Sequence, residues 1–450
     1  MAQSPVQPVT EVVVQSAGDW SACLEHLRRT TVIGLDTEFV GEGRYQPELC
    51  LLQVATPETL YVIDPYTVGR LDPFWELLFD PQRLVVLHGG KEDLRICREQ
   101  GGRLPARIFD TQIAAGLVGL DYPLGYARLV QTLFGVEMSK DLTMSNWRQR
   151  PLTTAQIRYA LDDVRYLLPA YQRLQRQLHK RQRQAWAEEE FRQAMEQAVA
   201  EGEKPESWRR LKGLARLDRQ GLAVAREVYL WREDYSRQIN RPPRQVLSDP
   251  LLVRIARLRP RARKELISLR GLPQHLADDI LDAVRRALSL PLHACPQPLG
   301  RIPETAAVVA VAQFLQIVLH DWSIRQAVAS ALAATVTDLK ALAHHHLSGR
   351  DIPELPLFRG WRSQVLLPEL QAVLEGRRLL GVDRRCSNGS PLRIVPYQPE
   401  DPVPQKCASS LPACVQAEDD LTEADNNEAT AFCPSDVSPD TGNPCCPPSS

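Results

Sequence analysis

VIGLDTEF, at residues 32–39, is an apolar run that ends in two acidic residues. Its composition is typical of a buried β-strand, and alternate residues of a strand share one face of the sheet. Asp36 and Glu38 are therefore expected to project together, while Thr37 points the opposite way. Two carboxylates held this close repel each other unless a positive charge lies between them. The stretch indicates a metal site, although one such pair alone is more often a solvated strand end.

Two later stretches supply further acidic residues. Residues 84–88 predict a second apolar strand, after which two glycines turn the chain and Asp93 falls in the first turn of a helix. In a later helical pattern, Tyr159 and Asp163 are four residues apart and therefore lie on the same helix face. Asp162 is rotated away from that face and is interpreted as a solvated neighbour. Together the three stretches favour the metal site over the solvated strand end.

In this order and spacing, the residues resemble the three exonuclease motifs of the DEDD superfamily, in the subclass with tyrosine in the third motif. Within that superfamily the chain is most similar to the bacterial ribonuclease D family. The resemblance extends from about residue 12 to about residue 397. The motif residues are Asp36, Glu38, Asp93, Tyr159 and Asp163, and the matching flanking runs are CLLQV at 50–54, FDT at 109–111, NWRQRPL at 146–152 and YLLP at 166–169.

The resemblance implies a 3′→5′ exoribonuclease that releases nucleoside 5′-monophosphates with the help of two divalent metal ions, Mg²⁺ or Mn²⁺. Asp36 would contact both ions, with Glu38 and Asp163 on the side of the nucleophile and Asp93 on the other side. The Tyr159 hydroxyl would orient the attacking water. The residue types suit such a metal site, because Mg²⁺ prefers oxygen ligands and keeps some of its waters. Two such ions typically lie ~3.5–4 Å apart across the scissile phosphate.

Phe39, Gln53, His88 and Lys140 are expected to contact the substrate. Gln53 and His88 adjoin the catalytic strands, and Lys140 lies where the family places a loop that faces the substrate. A hydrogen-bonded structural role is an equally good interpretation of Gln53, His88 and Lys140.

The family also implies the substrate, with RNA as the partner and tRNA precursors and other structured 3′ ends as targets. The five motif residues alone do not distinguish RNA from DNA. A DNA-directed 3′→5′ exonuclease of the same superfamily therefore stays open, although the sequence has no helicase P-loop pattern and no polymerase-sized domain. A catalytically silent RNA-binding scaffold is the third alternative, and the presence of all five motif residues argues against it.

The length of 450 residues and the hydrophobic content of 44% predict about three domains. Residues 9–178 read as an α/β domain with a mixed sheet, which the resemblance makes a ribonuclease H-like exonuclease fold. A helical linker follows at 179–203, and its acidic run at 188–190 is typical of a solvated face. Residues 204–291 resemble an HRDC domain, and 300–397 resemble a second, all-helical HRDC-like domain. Residues 398–450 are expected to form a disordered acidic tail rich in proline and cysteine.

The overall net charge of −1 hides a strong division along the chain. Residues 204–291 carry 20 Lys and Arg against 10 Asp and Glu, whereas 398–450 carry one Lys against 10 acidic residues. A compact module with that positive excess is a plausible binder of the phosphate backbone. Its arginine cluster, from Arg254 to Lys264, could equally serve to keep a small helical domain in solution.

The sequence also predicts a cytoplasmic, monomeric protein that does not span a membrane. The first residues show no basic region followed by an apolar one, so no secretory signal is expected. The longest uncharged stretch, at 305–319, is shorter than the ~20 residues needed to cross a bilayer and predicts a core helix. Ten cysteines scattered through a long chain indicate free thiols in a reducing compartment.

Overall fold

The computed structural model describes residues 9–138, 145–203, 206–298, 304–349, 355–382 and 392–396. The tail predicted at 398–450 lies outside these ranges. Within them, a six-stranded sheet forms the centre of the first domain. Its strands are β1 Thr10–Val14, β2 Val32–Val40, β3 Glu48–Ala55, β4 Thr59–Ile63, β5 Leu84–Leu87 and β6 Ile108–Asp110.

The sheet is mixed, as the sequence predicts. Its strand order is β1-β4-β3-β2-β5-β6, so that β2 lies in the interior of the sheet. β2 runs antiparallel to β3 and parallel to β5. β3 and β4 are antiparallel, while β1 pairs with β4 and β6 with β5 in parallel. The short β6 is not evident from the sequence, because three residues are too few to show an alternating pattern.

Helices cover the sheet and bury its strands. Seven of the eight residues of β3 are buried, which explains why this strand reads as an almost continuous apolar run. α9 packs against α4, α5 and β6 and so belongs to the surface of this domain rather than extending freely from it. The helices are α1 Ala17–Arg29, α2 Pro65–Val68, α3 Asp72–Leu78, α4 Lys91–Gly101, α5 Thr111–Leu117, α6 Tyr126–Phe134, α7 Thr154–Arg165, α8 Leu167–Lys180 and α9 Gln184–Glu203.

The first helical module, residues 206–298, has a hydrophobic core of its own. The core surrounds the fully buried Trp208 and includes Val228, Leu252 and Val284 from three helices. The apolar positions of these helices recur at helical spacing, which places them on one inward face. Its helices are α10 Arg219–Gln238, α11 Pro243–Val246, α12 Asp249–Leu258, α13 Arg263–Ile267 and α14 Ala277–Leu288.

The second helical unit, residues 304–396, shares one continuous core with the sheet domain. Leu315, Trp322 and Trp361 belong to the same buried cluster as the central strands. The all-helical prediction omits an antiparallel hairpin of two five-residue strands at the end of this unit. Three residues of the first strand are exposed and the other two only half-buried, so it has no buried apolar face that its sequence could reveal. The elements are α15 Ala306–Gln326, α16 Ser330–Ala333, α17 Val336–Ser348, α18 Gly360–Val365, α19 Leu367–Leu374, β7 Arg378–Val382 and β8 Leu392–Pro396.

A buried ion pair fastens the second helical unit to α9. The Arg362 guanidinium donates to both carboxylate oxygens of Glu190, at 2.5 and 2.9 Å, and both side chains are at least 93% buried. The Trp361 indole also donates to Glu190, at 2.7 Å. The interpretation of the acidic run at 188–190 as a solvated face is therefore wrong for Glu190, whose partner lies 172 residues further along the chain. Removal of one partner would leave an unpaired buried charge, at a cost of about 3–5 kcal/mol.

Among the described residues, α15 alone is long and apolar enough to cross a membrane. It has 21 residues, and 44% of its most apolar window is buried inside the protein. Leu315, Val318 and Trp322 of this helix lie in the shared core. This packing supports the core helix predicted from residues 305–319.

Candidate active site

β2 carries the first two acidic side chains into the centre of the domain. Asp36 lies opposite Gln53 of β3 in the antiparallel register, and Glu38 lies opposite Leu51. The register shifts directly after the second carboxylate, because Phe39 pairs with Leu49 and Cys50 of β3 is passed over. Earlier in the strand, a Cβ atom at Gly34 would lie only 3.1 Å from Leu167 of α8, so that glycine permits the close packing of helix and sheet.

Asp93 is positioned by a sharp turn between β5 and α4. The Asp110 carboxylate accepts hydrogen bonds from the backbone N–H groups of Gly89 and Gly90, both at 3.0 Å. Gly90 has no substitute here, because a Cβ atom would lie 2.7 Å from Leu87. Asp93 then falls in the first turn of α4, where the helix dipole favours negative charge. Its Oδ1 accepts a hydrogen bond from the Thr37 hydroxyl at 2.6 Å.

α7 contributes Tyr159 and Asp163 from one face. The helix begins with a capping box, in which Thr153 and Gln156 each bond the backbone N–H of the other. The four-residue spacing then directs both side chains to the same side. The Tyr159 ring lies 5.9 Å from the buried Trp147 ring, centroid to centroid. The segment before α7 therefore helps to orient the tyrosine.

The structure brings three of the four predicted carboxylates together. One carboxylate oxygen from each of Asp36, Glu38 and Asp163 lies within 4.8 Å of the other two. Asp93 is not part of that group, but its charge is the largest electrostatic contribution to the raised pKa of Asp36. Asp36, Glu38 and Asp163 thus lie together, and Asp93 is close enough for its charge to act on Asp36.

Burial raises the pKa of all four carboxyl groups, and the charges of other cluster members raise the pKa of Asp36 and Glu38 further. Desolvation is the main cause throughout. It raises the pKa of Glu38 to about 8, of Asp163 to about 7 and of Asp93 to about 6. The pKa of Asp36 is raised well above its ordinary value by burial and by the charges of Asp93, Asp163 and Glu38. The site therefore holds protons near neutral pH unless a cation replaces them.

The donor set fits hard divalent cations. All candidate ligands are carboxylate oxygens, which Mg²⁺ and Mn²⁺ prefer. Within the described ranges, no lysine, arginine or histidine forms an ion pair with Asp36, Glu38 or Asp163. Carboxylates held this close together repel one another, and a bound cation would offset that repulsion.

Of the predicted substrate contacts, Gln53 is fully buried and His88 is half-buried. The Gln53 side chain is fully buried beside Asp36, and neither its amide oxygen nor its nitrogen has a hydrogen-bond partner among the described residues. Both ring nitrogens of His88 are engaged, with the Thr111 hydroxyl at 2.9 Å and the Leu124 carbonyl at 2.8 Å. Burial lowers the pKa of His88. These contacts favour the structural interpretation of His88.

The other two predicted substrate contacts are Phe39 and Lys140. Phe39 follows the register shift and is half-buried near the end of β2, next to Glu38. Lys140 lies outside the described residues.

Three residues that shape the site are not among the site residues predicted from the sequence. Thr37 holds Asp93, Trp147 contacts the Tyr159 ring, and Asp110 fixes the turn before α4. Thr37 lies between the two acids of the first motif, and that position could have indicated a role in the site. Asp110 and Trp147 occur in flanking runs of the family resemblance, but their contacts depend on tertiary structure.

Comparison with known proteins agrees with this architecture. Residues 12–179 match the family described as 3′-5′ exonuclease, and residues 221–287 match the HRDC domain. Ribonuclease D of Gluconacetobacter diazotrophicus is 34% identical over 378 residues, which cover 83% of this chain and 95% of the relative. Ribonuclease D of Bartonella henselae is 30% identical over 371 residues, or 81% of this chain and 90% of the relative.

A solved structure extends the comparison to the fold. The crystal structure of Escherichia coli RNase D has a TM-score of 0.71 and 28% sequence identity, and the match covers 82% of this chain and 99% of that one. This similarity confirms the ribonuclease H-like exonuclease fold followed by a helical HRDC region. The identity and coverage of the curated relatives show the family directly. The chain belongs to the ribonuclease D family of 3′-5′ exoribonucleases.

Proposed function

We propose that the chain removes nucleoside 5′-monophosphates from the 3′ ends of structured RNAs, among them tRNA precursors, by a two-metal-ion mechanism. The observation that carries the proposal is the approach of Asp36, Glu38 and Asp163 to within 4.8 Å, with Asp93 nearby. We assign these four residues as ligands of two divalent ions, Mg²⁺ or Mn²⁺, and Tyr159 as the fifth catalytic residue.

When bound, the ions would lower the pKa of an attacking water and offset charge on the departing 3′-oxygen. The residues of the chain supply the rest. The carboxylates fix where the cations bind, and Thr37 holds Asp93 in place through its 2.6 Å hydrogen bond. The Tyr159 hydroxyl orients the water. A phenol with an ordinary pKa near ~10 is a better positioner than a base at neutral pH.

The RNA substrate is supported by relatives and by charge. The similar Escherichia coli protein is described as an exoribonuclease involved in structured RNA processing. In this chain, a cleft of about 820 Å³ lies between the sheet domain and the first helical module. Eight basic and four acidic side chains line it, and it includes Lys91 and Glu92, which precede Asp93 on α4. We propose that an RNA strand follows this surface to the acidic cluster.

We also propose the domain limits drawn from the sequence. The exonuclease domain would span 9–178, the connecting helix 179–203, the HRDC domain 204–291 and the second HRDC-like domain 300–397. The family match at 221–287 lies inside the third of these ranges, and the match at 12–179 extends one residue beyond the first. A monomeric, cytoplasmic protein is part of the same proposal.

Parallel digestion of matched substrates tests the RNA assignment. A tRNA precursor with a short 3′ trailer, an unstructured RNA and a DNA of equal length are incubated with Mg²⁺ or Mn²⁺. We expect the trailer and the unstructured RNA to be shortened from the 3′ end and the DNA to be cut more slowly. Faster digestion of the DNA would contradict the assignment and favour a DNA-directed exonuclease.

Arg254 and Arg257 of α12 are expected to bind phosphates. Both side chains are exposed, three residues apart, and neither forms an ion pair within the described part of the chain. Replacing both with alanine should weaken RNA binding and reduce the dependence of log affinity on log salt by about 0.7 for each phosphate that is no longer neutralised. Binding to a fluorescent single-stranded RNA across a salt series measures that slope.

Arg285→Ala is the matched control. Arg285 lies on α14 of the same module and is similarly exposed, but it is paired with Asp282 at 3.1 Å. Its replacement should change the slope little. Equal slopes for wild type and the double variant would show that the α12 arginines serve only to solvate the module. Truncation after Ala200 is a poorer test, because it would remove the second helical unit from the shared core.

The stability of the metal-free protein should fall as pH rises. In the folded state, the pKa values of Asp93, Asp163 and Glu38 are raised from 3.8, 3.8 and 4.5 to about 6, 7 and 8. The folded chain therefore holds more protons than the unfolded chain between about pH 4 and pH 8, and it loses stability across that window. Mg²⁺ or Mn²⁺ displaces the protons, so its stabilising effect should grow over the same range.

Thermal melting in chelator and in Mg²⁺ at several pH values measures this effect. Asp163→Asn removes one of the titrating groups and should flatten the pH dependence of the metal-free protein. If the gain in melting temperature from Mg²⁺ is the same at acidic and at neutral pH, the raised pKa values do not belong to the metal site.

A further inference from the structure

The loop that follows the first motif, residues 41–47, is held by the first helical module. The Asn240 side-chain oxygen accepts hydrogen bonds from the backbone N–H groups of Tyr45 and Gln46, at 3.1 and 3.0 Å. Asn240 lies just after α10 and has a φ of 49°, in the left-handed region that asparagine tolerates better than most residues. One side chain of the module thus satisfies two consecutive donors of the sheet domain.

The Tyr45 side chain adds a second contact with the same module. Its hydroxyl donates to Glu233 and accepts from Arg237, both at 3.4 Å, and both partners lie on α10. The Arg237 guanidinium also lies 5.6 Å from the centre of the Tyr45 ring, within the range of a cation–π contact. Burial raises the pKa of Tyr45, so its hydroxyl stays a donor at neutral pH.

The same tyrosine is tied to the helix that carries Asp93. Its backbone carbonyl accepts from the Arg95 guanidinium at 2.9 Å, and Arg95 is itself held by Glu99 on α4 at 2.8 Å. Tyr45 lies seven residues after Glu38, and Arg95 lies two residues after Asp93. A shift of the loop therefore acts on two of the three elements that carry the acidic cluster.

We propose that Asn240 is a positioning residue, through which the first helical module fixes the loop at 41–47 and thereby the spacing of the acidic cluster. This inference rests on the proposed metal-dependent function. It gives the helical module a role beyond RNA binding, because its contact with Tyr45 and Gln46 fixes the position of α4 relative to β2. If the module loses its contact with this loop, we expect the acidic cluster to bind metal ions more weakly.

Two substitutions at position 240 separate the side-chain contact from the backbone conformation. Asn240→Gly keeps the left-handed backbone without strain and removes the acceptor. Asn240→Asp keeps an acceptor oxygen, and aspartate also tolerates this conformation. Arg241→Ala is the matched control at the neighbouring position, since its exposed side chain has no hydrogen bond to the loop among the described residues.

The primary readouts do not depend on catalysis. In Asn240→Gly, the amides of Tyr45 and Gln46 should exchange hydrogen faster, and Mn²⁺ binding measured by calorimetry should weaken by up to about tenfold, as expected for the loss of two hydrogen bonds. Cleavage of a short RNA should need correspondingly more metal, with kcat recovering at saturating Mg²⁺. Asn240→Asp and Arg241→Ala should behave like wild type.

Unchanged Mn²⁺ affinity in Asn240→Gly, despite faster exchange of the two amides, would overturn the inference. If Asn240→Gly loses helical content, Tyr45→Leu decides the question, because it removes the contacts with Glu233 and Arg237 from the side of the sheet domain. This variant should bind Mn²⁺ more weakly although the sequence of the helical module is unchanged. Unchanged Mn²⁺ affinity would again contradict the inference. Failure of wild type to bind Mn²⁺ at all would instead count against the proposed function.

Discussion

Replacing Asp36 or Asp163 with asparagine is expected to reduce RNA hydrolysis by at least about 10³-fold while leaving the fold and RNA binding largely intact. The amide has nearly the same shape but lacks the charge that a divalent cation requires. Several kcal/mol of transition-state stabilisation then disappear, and each 1.36 kcal/mol corresponds to about a tenfold change in rate. Release of mononucleotides from an end-labelled RNA in Mg²⁺ measures the effect.

The metal-free forms of both variants should melt no lower than metal-free wild type. Burial and neighbouring acidic groups raise the pKa of both carboxyl groups, so a neutral amide removes an unfavourable charge there. Asp162→Asn is the matched control, because Asp162 precedes Asp163 on α7 but its side chain is 40% exposed and paired with Arg165. Near-wild-type turnover by Asp36→Asn or Asp163→Asn would refute the assignment of these residues as metal ligands.

Tyr159→Phe is expected to slow hydrolysis by about 10²–10³-fold, comparable to the removal of one positioned donor from an active site. The phenylalanine ring retains the contact with Trp147, at 5.9 Å in wild type, so the change is confined to the hydroxyl. Metal binding should be close to that of wild type, because the carboxylates are untouched. Single-turnover cleavage at saturating Mg²⁺ isolates the chemical step.

Tyr171→Phe provides the control for the removal of a tyrosine hydroxyl. Tyr171 lies on the adjoining α8, where its ring packs against Phe109 at 4.8 Å, and it should be dispensable for cleavage. A silent Tyr159→Phe variant would mean that Tyr159 serves packing alone, and the water-orienting role would then be wrong.

The sequence was most informative where local pattern and chemistry coincide. Asp36 and Glu38 alternate along one strand and so share a face, and the four-residue spacing of Tyr159 and Asp163 places both on one face of α7. The mixed sheet follows from the pattern of apolar strands and helices, whereas the two helical regions were expected from the family resemblance. The site residues beyond the motif could not be ranked by such patterns, because a polar residue next to a strand has many possible partners.

Long-range contacts account for what the sequence did not reveal. The partner of Glu190 is Arg362, and the partner of Tyr45 is Asn240, so neither contact lies within a local window. The shared core of the sheet domain and the second helical unit is likewise invisible from composition, which suggests separate domains. For His88, the position at the end of a predicted strand next to the site suggested a substrate contact. In the structure, both of its ring nitrogens form hydrogen bonds within the protein.

Gel analysis of a 5′-labelled single-stranded RNA, with chromatography of the nucleotides that it releases, in Mg²⁺ and in chelator, tests the central proposal most directly. We expect stepwise shortening from the 3′ end and nucleoside 5′-monophosphates as products in Mg²⁺, and no cleavage in chelator or with Asp36→Asn. Internal fragments, products that carry 3′-phosphates, or undiminished cleavage in chelator would contradict a metal-dependent 3′→5′ exoribonuclease built on Asp36, Glu38, Asp93 and Asp163.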